Sequence, residues 1–435
     1  GMFVSPVTIA RMDVNGKFST TPNTNQQGFS QTTSMVPSNN NFASPAATLD
    51  SPYPGGFLSA SGASAGLLTF AGQNVTFMSP QMKNPYSLRW TFGFQHALTN
   101  NLKLEAVYIG NHSLHLPINF TQLNGIPQKF LSTRTVRDAN QAYLTGTAAN
   151  PFLGLQTSSG TSASTNAAQL LARFPQFPVG DSATGWNGSG GVLEQNRSVG
   201  SSYFNSFNMQ IQERATRGLT FTLNYIYSKL IERMTWLNAS DPLPEKRISS
   251  IDHPHRVVLS ANYDLPVGKG RPFAIRSRAI DSVVGGWSLN TVYTYQVGAP
   301  INWNNGSTTS PGDYVYSGAP IVLNNRLADP GSTAFNIAAF DTRAANAFNY
   351  HLRTFPTMIA ALRQDGINQF DTSLLKKVTL TEKSYVQIRF EAFNTMNHPV
   401  FPAPNTTANN ALFGTISGAQ ANRPRSAQIG LRVVF

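Results

Sequence analysis

Residues that could act as a nucleophile or hold a phosphate occur in two short stretches. Residues 62–66, GASAG, have the spacing of a nucleophile elbow around Ser64. Such an elbow needs a buried strand before the serine and a helix after it, whereas Ser64 lies in a run of Ser, Gly and Ala. Residues 265–273, LPVGKGRPF, contain glycines and a lysine without the spacing of a phosphate-binding loop. We therefore interpret the first stretch as a loop and the second as a turn.

Two histidine pairs have spacings that could place two imidazoles on one metal ion. His253 and His255 follow Asp252 and flank a proline, and His112 and His115 form the second pair. Alternate residues of a strand share a face, so the first pair could point the same way. Neither pair has a third ligand nearby, and the chain has no cysteine to supply a thiolate. The sequence predicts no metal ion or other cofactor.

Charged residues offer the last candidates for chemistry. Asp241, Glu245 and Asp252 could serve as acid and base, but they fall in one loop with no pocket implied. Arg389 and Glu391 share a strand face at i and i+2, which favours an ion pair on a wall over a reactive site. The sequence therefore predicts a protein that is not an enzyme.

The amino-acid composition indicates which kind of secondary structure carries these residues. Only 12% of residues are charged and 40% are hydrophobic, and the chain has 28 Phe and 14 Tyr among many Asn, Gln, Ser, Thr and Gly. This mixture suits strands with one apolar face and one neutral polar face. The net charge is +12, but no run of five Lys or Arg occurs, so nucleic acid is not an expected partner. No stretch reaches the ~18 apolar residues of a membrane helix.

Alternation of apolar and polar residues predicts nine strands. They lie at 86–98, 101–111, 203–215, 218–230, 254–264, 285–297, 366–379, 383–394 and 425–435. Their lengths suit tilted membrane strands of ~9–11 residues better than the shorter strands of globular proteins. Residues 1–85 are rich in Ser, Asn, Gly and Pro and are predicted to be an irregular segment like an extracellular loop.

The connections between these strands are alternately short and long. The long ones are predicted at 112–202, 231–253, 298–365 and 395–424, and a connection of intermediate length joins 264 to 285. Short periplasmic turns and long extracellular loops are typical of outer-membrane barrels. We predict an all-β fold, an antiparallel transmembrane β-barrel with long extracellular loops. A soluble β-sandwich would explain the alternation, but not the strand lengths or the loop asymmetry.

The alternation also assigns side chains to the two faces of the wall. Six polar residues are predicted to face the lumen: Gln210, Gln212, Thr222, Asn224, Arg389 and Glu391. Six aromatic residues on the other face are predicted to lie at the lipid interfaces: Trp90, Tyr225, Tyr227, Trp287, Tyr293 and Tyr295. The last strand has Ile429, Leu431, Val433 and Phe435 on its apolar face, and the chain stops on that final aromatic residue. We expect this side chain to be buried in a core or in lipid.

Several segments resemble the Oar-like TonB-dependent outer-membrane receptors that are abundant in acidobacteria. They are NPYSLRWTFGFQHAL (84–98), LEAVYIGNHSLHLP (104–117), YFNSFNMQIQERATRGLTFTLNYIYSK (203–229), DHPHRVVLSANYDLPVGKG (252–270), GGWSLNTVYTYQVGAPI (285–301) and FDTSLLKKVTLTEKSYVQIRFEAFNTMNHPVF (370–401). The plan of that family is a regulatory-like β-domain, a plug and then a 22-stranded barrel. Nothing here matches the first two parts or a TonB box. The resemblance therefore covers the C-terminal portion, about nine strands of 22.

The resemblance implies uptake of an unidentified solute, captured by the extracellular loops and admitted when TonB, acting through an N-terminal part absent from this sequence, moves the plug. It implies outer-membrane lipid as the surroundings. It also implies that the barrel-assembly machinery reads the strand that ends at Phe435. Two other functions stay open: a passive outer-membrane pore or surface adhesin, and a secreted β-rich hydrolase.

Overall fold

The computed structural model describes residues 1–5, 33, 38–39, 44–45, 47–59, 62–64, 66–118, 120–133, 139–154, 162–180, 191–303, 314–323, 333–343, 350–381, 384–408, 410–416 and 418–435. Strands dominate these residues. The first ten are β1 (Met2–Val4), β2 (Ser38–Asn39), β3 (Ser44–Pro45), β4 (Val75–Met78), β5 (Tyr86–Ala97), β6 (Leu102–Ile118), β7 (Thr121–Gln122), β8 (Thr147–Ala149), β9 (Ser164–Asn166) and β10 (Val192–Gln195).

Ten further strands follow, and six short helical segments accompany them. The strands are β11 (Arg197–Thr216), β12 (Leu219–Arg233), β13 (Arg247–Ile248), β14 (His255–Asp264), β15 (Trp287–Gln296), β16 (Pro300–Asn302), β17 (Met358–Arg363), β18 (Ile367–Thr379), β19 (Tyr385–Phe393) and β20 (Ser426–Val434). The α-helices are α1 (Ala139–Thr145), α2 (Ala167–Leu171) and α3 (Arg278–Val284), and 3-10 turns lie at Gly66–Leu68, Gln128–Phe130 and Ile337–Ala339. None of the described helices is long and apolar enough to cross a bilayer.

One large antiparallel sheet contains all nine predicted strands. Its order is β1-β5-β6-β11-β12-β14-β15-β18-β19-β20, and β13 pairs with β12 beside this path. From β5 to β20 the strands follow chain order, and each one pairs with the next strand of the sheet along the chain. The all-β, antiparallel part of the prediction is therefore confirmed.

Three strands are longer than their alternation indicated. β6 continues to Ile118, β11 begins at Arg197 and β12 continues to Arg233, so the loop predicted at 112–202 covers 119–196. The pairing of β6 with β11 shifts register twice, between Arg197 and Ser201. Such irregularities move side chains between the two faces, and the loop-end residues of β11 therefore lack a regular period of two.

The first 85 residues contain short strands that the sequence does not predict. Residues 1–85 were predicted to be irregular, but Met2–Val4 pair with Tyr86–Leu88, and Val75–Met78 form a parallel pair with Val192–Gln195. Strands of three or four residues are too short to show a period, so only the pairing partner identifies them.

The two ends of the large sheet differ in their connections. Residues 98–101, 217–218, 265–286 and 380–384 join strands at one end, the turn end. Residues 119–196, 234–254, 297–366 and 394–425 join strands at the other end, the loop end. Val434 pairs with Tyr385 beside a short turn, which places the end of β20 at the turn end.

The buried core lies at the loop end, outside the large sheet. Its largest cluster packs ten residues: Ile301, Trp303, Tyr314, Ala334, Phe335, Ala339, Phe340, Phe355, Leu362 and Phe413. A second cluster is formed by Ile126, Leu131, Leu144 and Ala168. We call the folded part of the loop-end connections the loop layer. Its compactness was missed because aromatic residues scattered in Pro- and Gly-rich sequence carry no period.

Candidate functional site

The polar face of the sheet is organised around paired side chains on β11 and β12. Gln210 lies opposite Asn224, and Gln212 lies opposite Thr222. The amide Nε2 of Gln210 donates to Oδ1 of Asn224 over 2.9 Å. On the other side of β11, Gln210 lies opposite Glu105 of β6. Four of the six predicted lumen residues therefore form one continuous polar surface.

The register carries this face across the sheet to β19. Asn224 lies opposite Val258, which lies opposite Thr294 and then Gln369. Residues two positions apart on a strand share a face, so Ser373 belongs to the same face as Gln369, and Ser373 lies opposite Glu391.

The remaining two predicted lumen residues, Arg389 and Glu391, therefore lie on the same side as Gln210. The guanidinium of Arg389 and the carboxylate of Glu391 are 3.3 Å apart. Glu391 also accepts a hydrogen bond of 2.5 Å from Gln428 of β20. All six polar residues are thus brought to one face, where Gln210 bonds to Asn224 and Arg389 pairs with Glu391.

The opposite face is apolar and rich in exposed aromatic rings. The same register places all six predicted interfacial aromatic residues on it: Trp90, Tyr225, Tyr227, Trp287, Tyr293 and Tyr295. Trp287 opens β15 at the turn end, and the other five lie nearer the loop end. Phe92 is 75% exposed on this face. An apolar surface that runs across nine strands needs an apolar partner.

Trp90 shows how closely one of these rings fits the sheet. It lies opposite Gly110 of β6, and a Cβ at Gly110 would fall 2.0 Å from the indole. The ring therefore lies flat over the glycine and covers its backbone, as aromatic residues do over glycines in strands.

The loop layer is joined to the rim of the sheet by buried charges from the predicted loop 231–253. Asp252 and Arg363 form an ion pair of 2.7 Å, and the Asp252 side chain is 1% exposed. Asp252 also accepts from the backbone N–H of Leu230 over 2.7 Å. Arg363 donates in addition to the carbonyl groups of Asp252 and Gly298.

The two other candidate carboxylates, Asp241 and Glu245, bind different partners. Glu245 accepts from the backbone N–H of Thr357 over 3.0 Å, and Asp241 accepts from Gln128 over 2.6 Å. Arg247 joins Glu232 to Thr357 with distances of 3.0 and 2.8 Å. Asp241, Glu245 and Asp252 are therefore not an acid–base group. Each one fastens loop 231–253 to another connection.

The histidines also have structural partners. Nδ1 of His253 lies 2.8 Å from the carbonyl oxygen of Val297, and Nδ1 of His255 lies 2.9 Å from the hydroxyl of Tyr225. The His112 ring packs edge-on against Tyr203. Within the part of the chain that the structure describes, no three His, Cys, Asp or Glu side chains form a metal-binding group.

Ser64 lies on an exposed turn, 62–64, and the helical turn at Gly66–Leu68 has only three residues. The strand and helix that a nucleophile elbow requires are not present in the described residues on either side of it.

A cavity of about 420 Å³ opens within the loop layer. It is lined by Thr133, Tyr314, Val315, Tyr316, Ile321, His351, Thr354, Phe355, Pro356 and Ile359. Among these described residues the lining contains no Asp, Glu, Lys or Arg. Sequence reasoning missed the cavity, because its residues come from two loops. They meet through the aromatic cluster and through a backbone bridge between Ser132 and His351.

A second cavity of about 490 Å³ adjoins the first and shares Val315 and Tyr316 with it. Asp341 and Arg343 line this second cavity and form an ion pair of 2.6 Å. The hydrogen bond to Asp341, together with its charge, raises the pKa of Arg343 above its usual value. The two cavities therefore differ in polarity, with the charged pair confined to the second.

The chain is similar to known outer-membrane proteins. A family model described as outer membrane beta barrel domain matches residues 1–428. The solved outer membrane transporter YddB from Escherichia coli is similar, with 11% identity and a TM-score of 0.36 over 84% of this chain and 35% of that chain. No curated protein matches the chain.

Two further solved structures resemble the chain. The FrpB iron transporter from Neisseria meningitidis has 8% identity and a TM-score of 0.34 over 82% of this chain and 32% of that chain. The ferripyoverdine receptor of Pseudomonas aeruginosa, bound to ferripyoverdine, has 10% identity and a TM-score of 0.33 over 81% of this chain and 28% of that chain. The chain thus spans about a third of the length of the structures that it resembles.

Proposed function

Because the chain belongs to the outer membrane beta-barrel domain family, we propose that its large sheet is part of the wall of a TonB-dependent receptor, which takes up a solute across the bacterial outer membrane. The protein's place in the bacterial outer membrane follows from the family. The finer assignment, to the Oar-like type, is supported by the six sequence segments that resemble those receptors.

The observation that carries this proposal is the two-sidedness of the sheet. One register places Gln210, Asn224 and Glu391 on one face and Trp90 and Tyr295 on the other. A bilayer accommodates the apolar face, and a water-filled or plugged lumen accommodates the polar face. We assign the first to lipid and the second to the lumen.

The two outer strands of the sheet, β1 and β20, have one strand neighbour each among the described residues. A sheet edge in hydrocarbon leaves backbone groups without partners, so a spanning sheet must close. We propose that further strands of the receptor close the wall, and that its plug and TonB box also lie outside these 435 residues.

The loop layer is our candidate for solute capture. The 420 Å³ cavity is of the size of small-molecule sites in proteins, and it lies at the loop end. We place the loop end outside the cell, because the long loops of outer-membrane barrels are extracellular. Its described lining is aromatic, aliphatic and hydroxyl-bearing, without a formal charge other than what His351 can carry. We propose that the part of the solute held there is uncharged and partly apolar.

The apolar face of β20 is our candidate assembly signal. Ile429, Leu431, Val433 and Phe435 are all more than half exposed. This role comes from the resemblance to the receptor family, in which the assembly machinery reads such a strand.

Planar-bilayer conductance of the full-length protein tests the proposed function against a passive pore. A plugged receptor gives no steady conductance, whereas an open pore conducts continuously. Recovery of the full-length protein in the soluble fraction, without detergent, would instead favour a secreted hydrolase and would overturn both membrane functions. We expect the full-length protein to be recovered in the outer membrane and to give no steady conductance. Removal of its plug should produce a steady conductance.

A further inference from the structure

The connection at residues 265–286 is the longest at the turn end, and it contains a helix. The side chain of Ser277 accepts from the backbone N–H of Ile280 at the start of α3, and Gly285 donates to the carbonyl of Asp281 at its end. Gly286 then has φ of +70°, and a Cβ there would lie 2.9 Å from the carbonyl oxygen of Lys377. This corner fixes the end of the helix against strand β18.

Side chains from the apolar face of the sheet hold the end of this helix. Trp287 donates from its indole Nε1 to the carbonyl of Val283 over 2.9 Å. Lys376, opposite Trp287, donates to the carbonyl of Gly285, and its Nζ lies 5.6 Å from the centre of the Trp287 ring. Both side chains belong to the face that we assign to lipid, so α3 leaves the sheet on that side.

The helix presents an apolar stripe that the described residues leave exposed. Ile280, Val283 and Val284 lie at positions i, i+3 and i+4, which share one side of a helix. They are 55%, 67% and 46% exposed, and Phe273 earlier in the connection is 67% exposed. The stripe continues the apolar surface of the sheet beyond its turn end.

The same connection is basic. Residues 265–286 contain Lys269, Arg271, Arg276 and Arg278 against the single acid Asp281. Arg271 is paired with Asp264 at 2.9 Å, and Asp281 accepts from the backbone N–H of Lys269. Lys269 and Arg276 are exposed. An apolar stripe flanked by exposed bases is typical of segments that lie in the headgroup region of a membrane.

We propose that residues 265–286 are a membrane-interface anchor, which binds anionic phospholipid in the leaflet at the turn end. The apolar stripe enters the boundary of the acyl chains, and Lys269 and Arg276 contact the headgroup phosphates. The inference rests on the proposed function, because it takes the apolar face of the sheet as lipid-facing. Two observations select lipid as the partner: the stripe is continuous with that face, and the flanking charge is complementary to anionic headgroups.

The test uses cysteine variants of the full-length protein, because these 435 residues contain no cysteine and any cysteine elsewhere can be replaced. I280C and V283C are labelled with a polarity-sensitive fluorophore and placed in phosphatidylcholine nanodiscs. Brominated phosphatidylglycerol is then added as a quencher. S282C, on the other side of the helix, is the matched control for depth, and L223C reports the apolar face of the sheet.

We expect strong quenching of I280C and V283C and weaker quenching of S282C. The variant R276Q, added to I280C, should raise the phosphatidylglycerol needed for half-maximal quenching about fivefold, which corresponds to one base near an anionic surface. K103Q removes the same charge near the turn end on the polar face, where Lys103 lies opposite Gln212, and should leave this value unchanged.

Each contrary outcome has a separate meaning. If L223C is quenched but I280C is not, the connection faces water or another protein, and the anchor is overturned while the barrel wall stands. If brominated phosphatidylcholine quenches I280C as well as brominated phosphatidylglycerol does, the preference for anionic lipid is wrong. If L223C is not quenched either, the proposed function itself fails.

Discussion

Asp252 and Arg363 are 111 residues apart in sequence, but their side chains meet at 2.7 Å between the rim of the sheet and the loop layer. Asp252 is almost fully buried and Arg363 is only 14% exposed at its side chain. Removing one partner of a buried pair leaves the other charge without compensation, and this is far more destabilising than the pair is stabilising.

We predict that Arg363→Met will destabilise the loop layer by about 3–5 kcal/mol, because the Asp252 carboxylate then stays buried without its partner. Limited proteolysis of the folded protein measures the change as faster cleavage in the loop-end connections. The double variant D252N/R363M should recover part of the loss, since the unpaired charge is removed. The pair Asp341–Arg343 supplies the control, and R343Q should change the cleavage rate little because the Arg343 side chain is 75% exposed. Equal effects of R363M and R343Q would contradict this account.

The two faces of β12 give the second prediction. Leu223 lies opposite Ile211 and Leu259 on the apolar face, and its neighbour Asn224 lies on the polar face. Leu223→Arg should cost about 2–4 kcal/mol, as a charge does at the middle of a bilayer. Asn224→Arg should cost much less, because its side chain lies on the polar face beside Gln210. Urea unfolding in lipid vesicles measures both, and similar costs would show that the faces are assigned wrongly.

The strands could be predicted from the sequence because a sheet with one apolar face and one polar face imposes a period of two on the residues of each strand. Met209, Leu223 and Ile388 each alternate with polar neighbours, so the pattern alone locates their strands and sorts their faces. The loop layer carries no such pattern. Trp303 and Phe413 belong to different connections and pack in one cluster, and this contact depends on the whole fold. The same is true of Asp252 and Arg363, whose types suggest a pair but whose meeting requires the sheet.

Gly110 gives the third prediction, which tests the close fit of Trp90. A methyl group at position 110 would overlap the indole, so G110A should displace Trp90 and cost about 1–3 kcal/mol, as overpacking does. The double variant W90A/G110A should cost less than the sum of the single changes. Gly93→Ala is the control, because its Cβ would meet Val107 at an ordinary 3.5 Å. A double-mutant cycle on urea unfolding gives the coupling, and additive changes would mean that Trp90 does not cover Gly110.

Neighbouring residues Leu412 and Phe413 give the last prediction, which asks whether the loop layer is a folded unit with its own core. Phe413 is 4% exposed and packs edge-on against Phe335 and Phe340, with ring centres 5.1 and 5.4 Å apart, whereas Leu412 is 48% exposed. Phe413→Ala removes a buried ring and should cost about 3–5 kcal/mol. Leu412→Ala should have little effect, because its side chain is already half in solvent.

The loss from F413A should be confined to the loop layer, since its core residues lie outside the large sheet. Proteolysis of the loop-end connections should therefore speed up in F413A and stay unchanged in L412A. The fraction of heat-modifiable, folded barrel should be the same in both variants, because backbone pairing and lipid hold the sheet independently of the aromatic cluster. If F413A instead lowers the folded barrel fraction as much as it raises loop cleavage, the loop layer and the wall fold as one cooperative unit, and their separation into two parts is wrong.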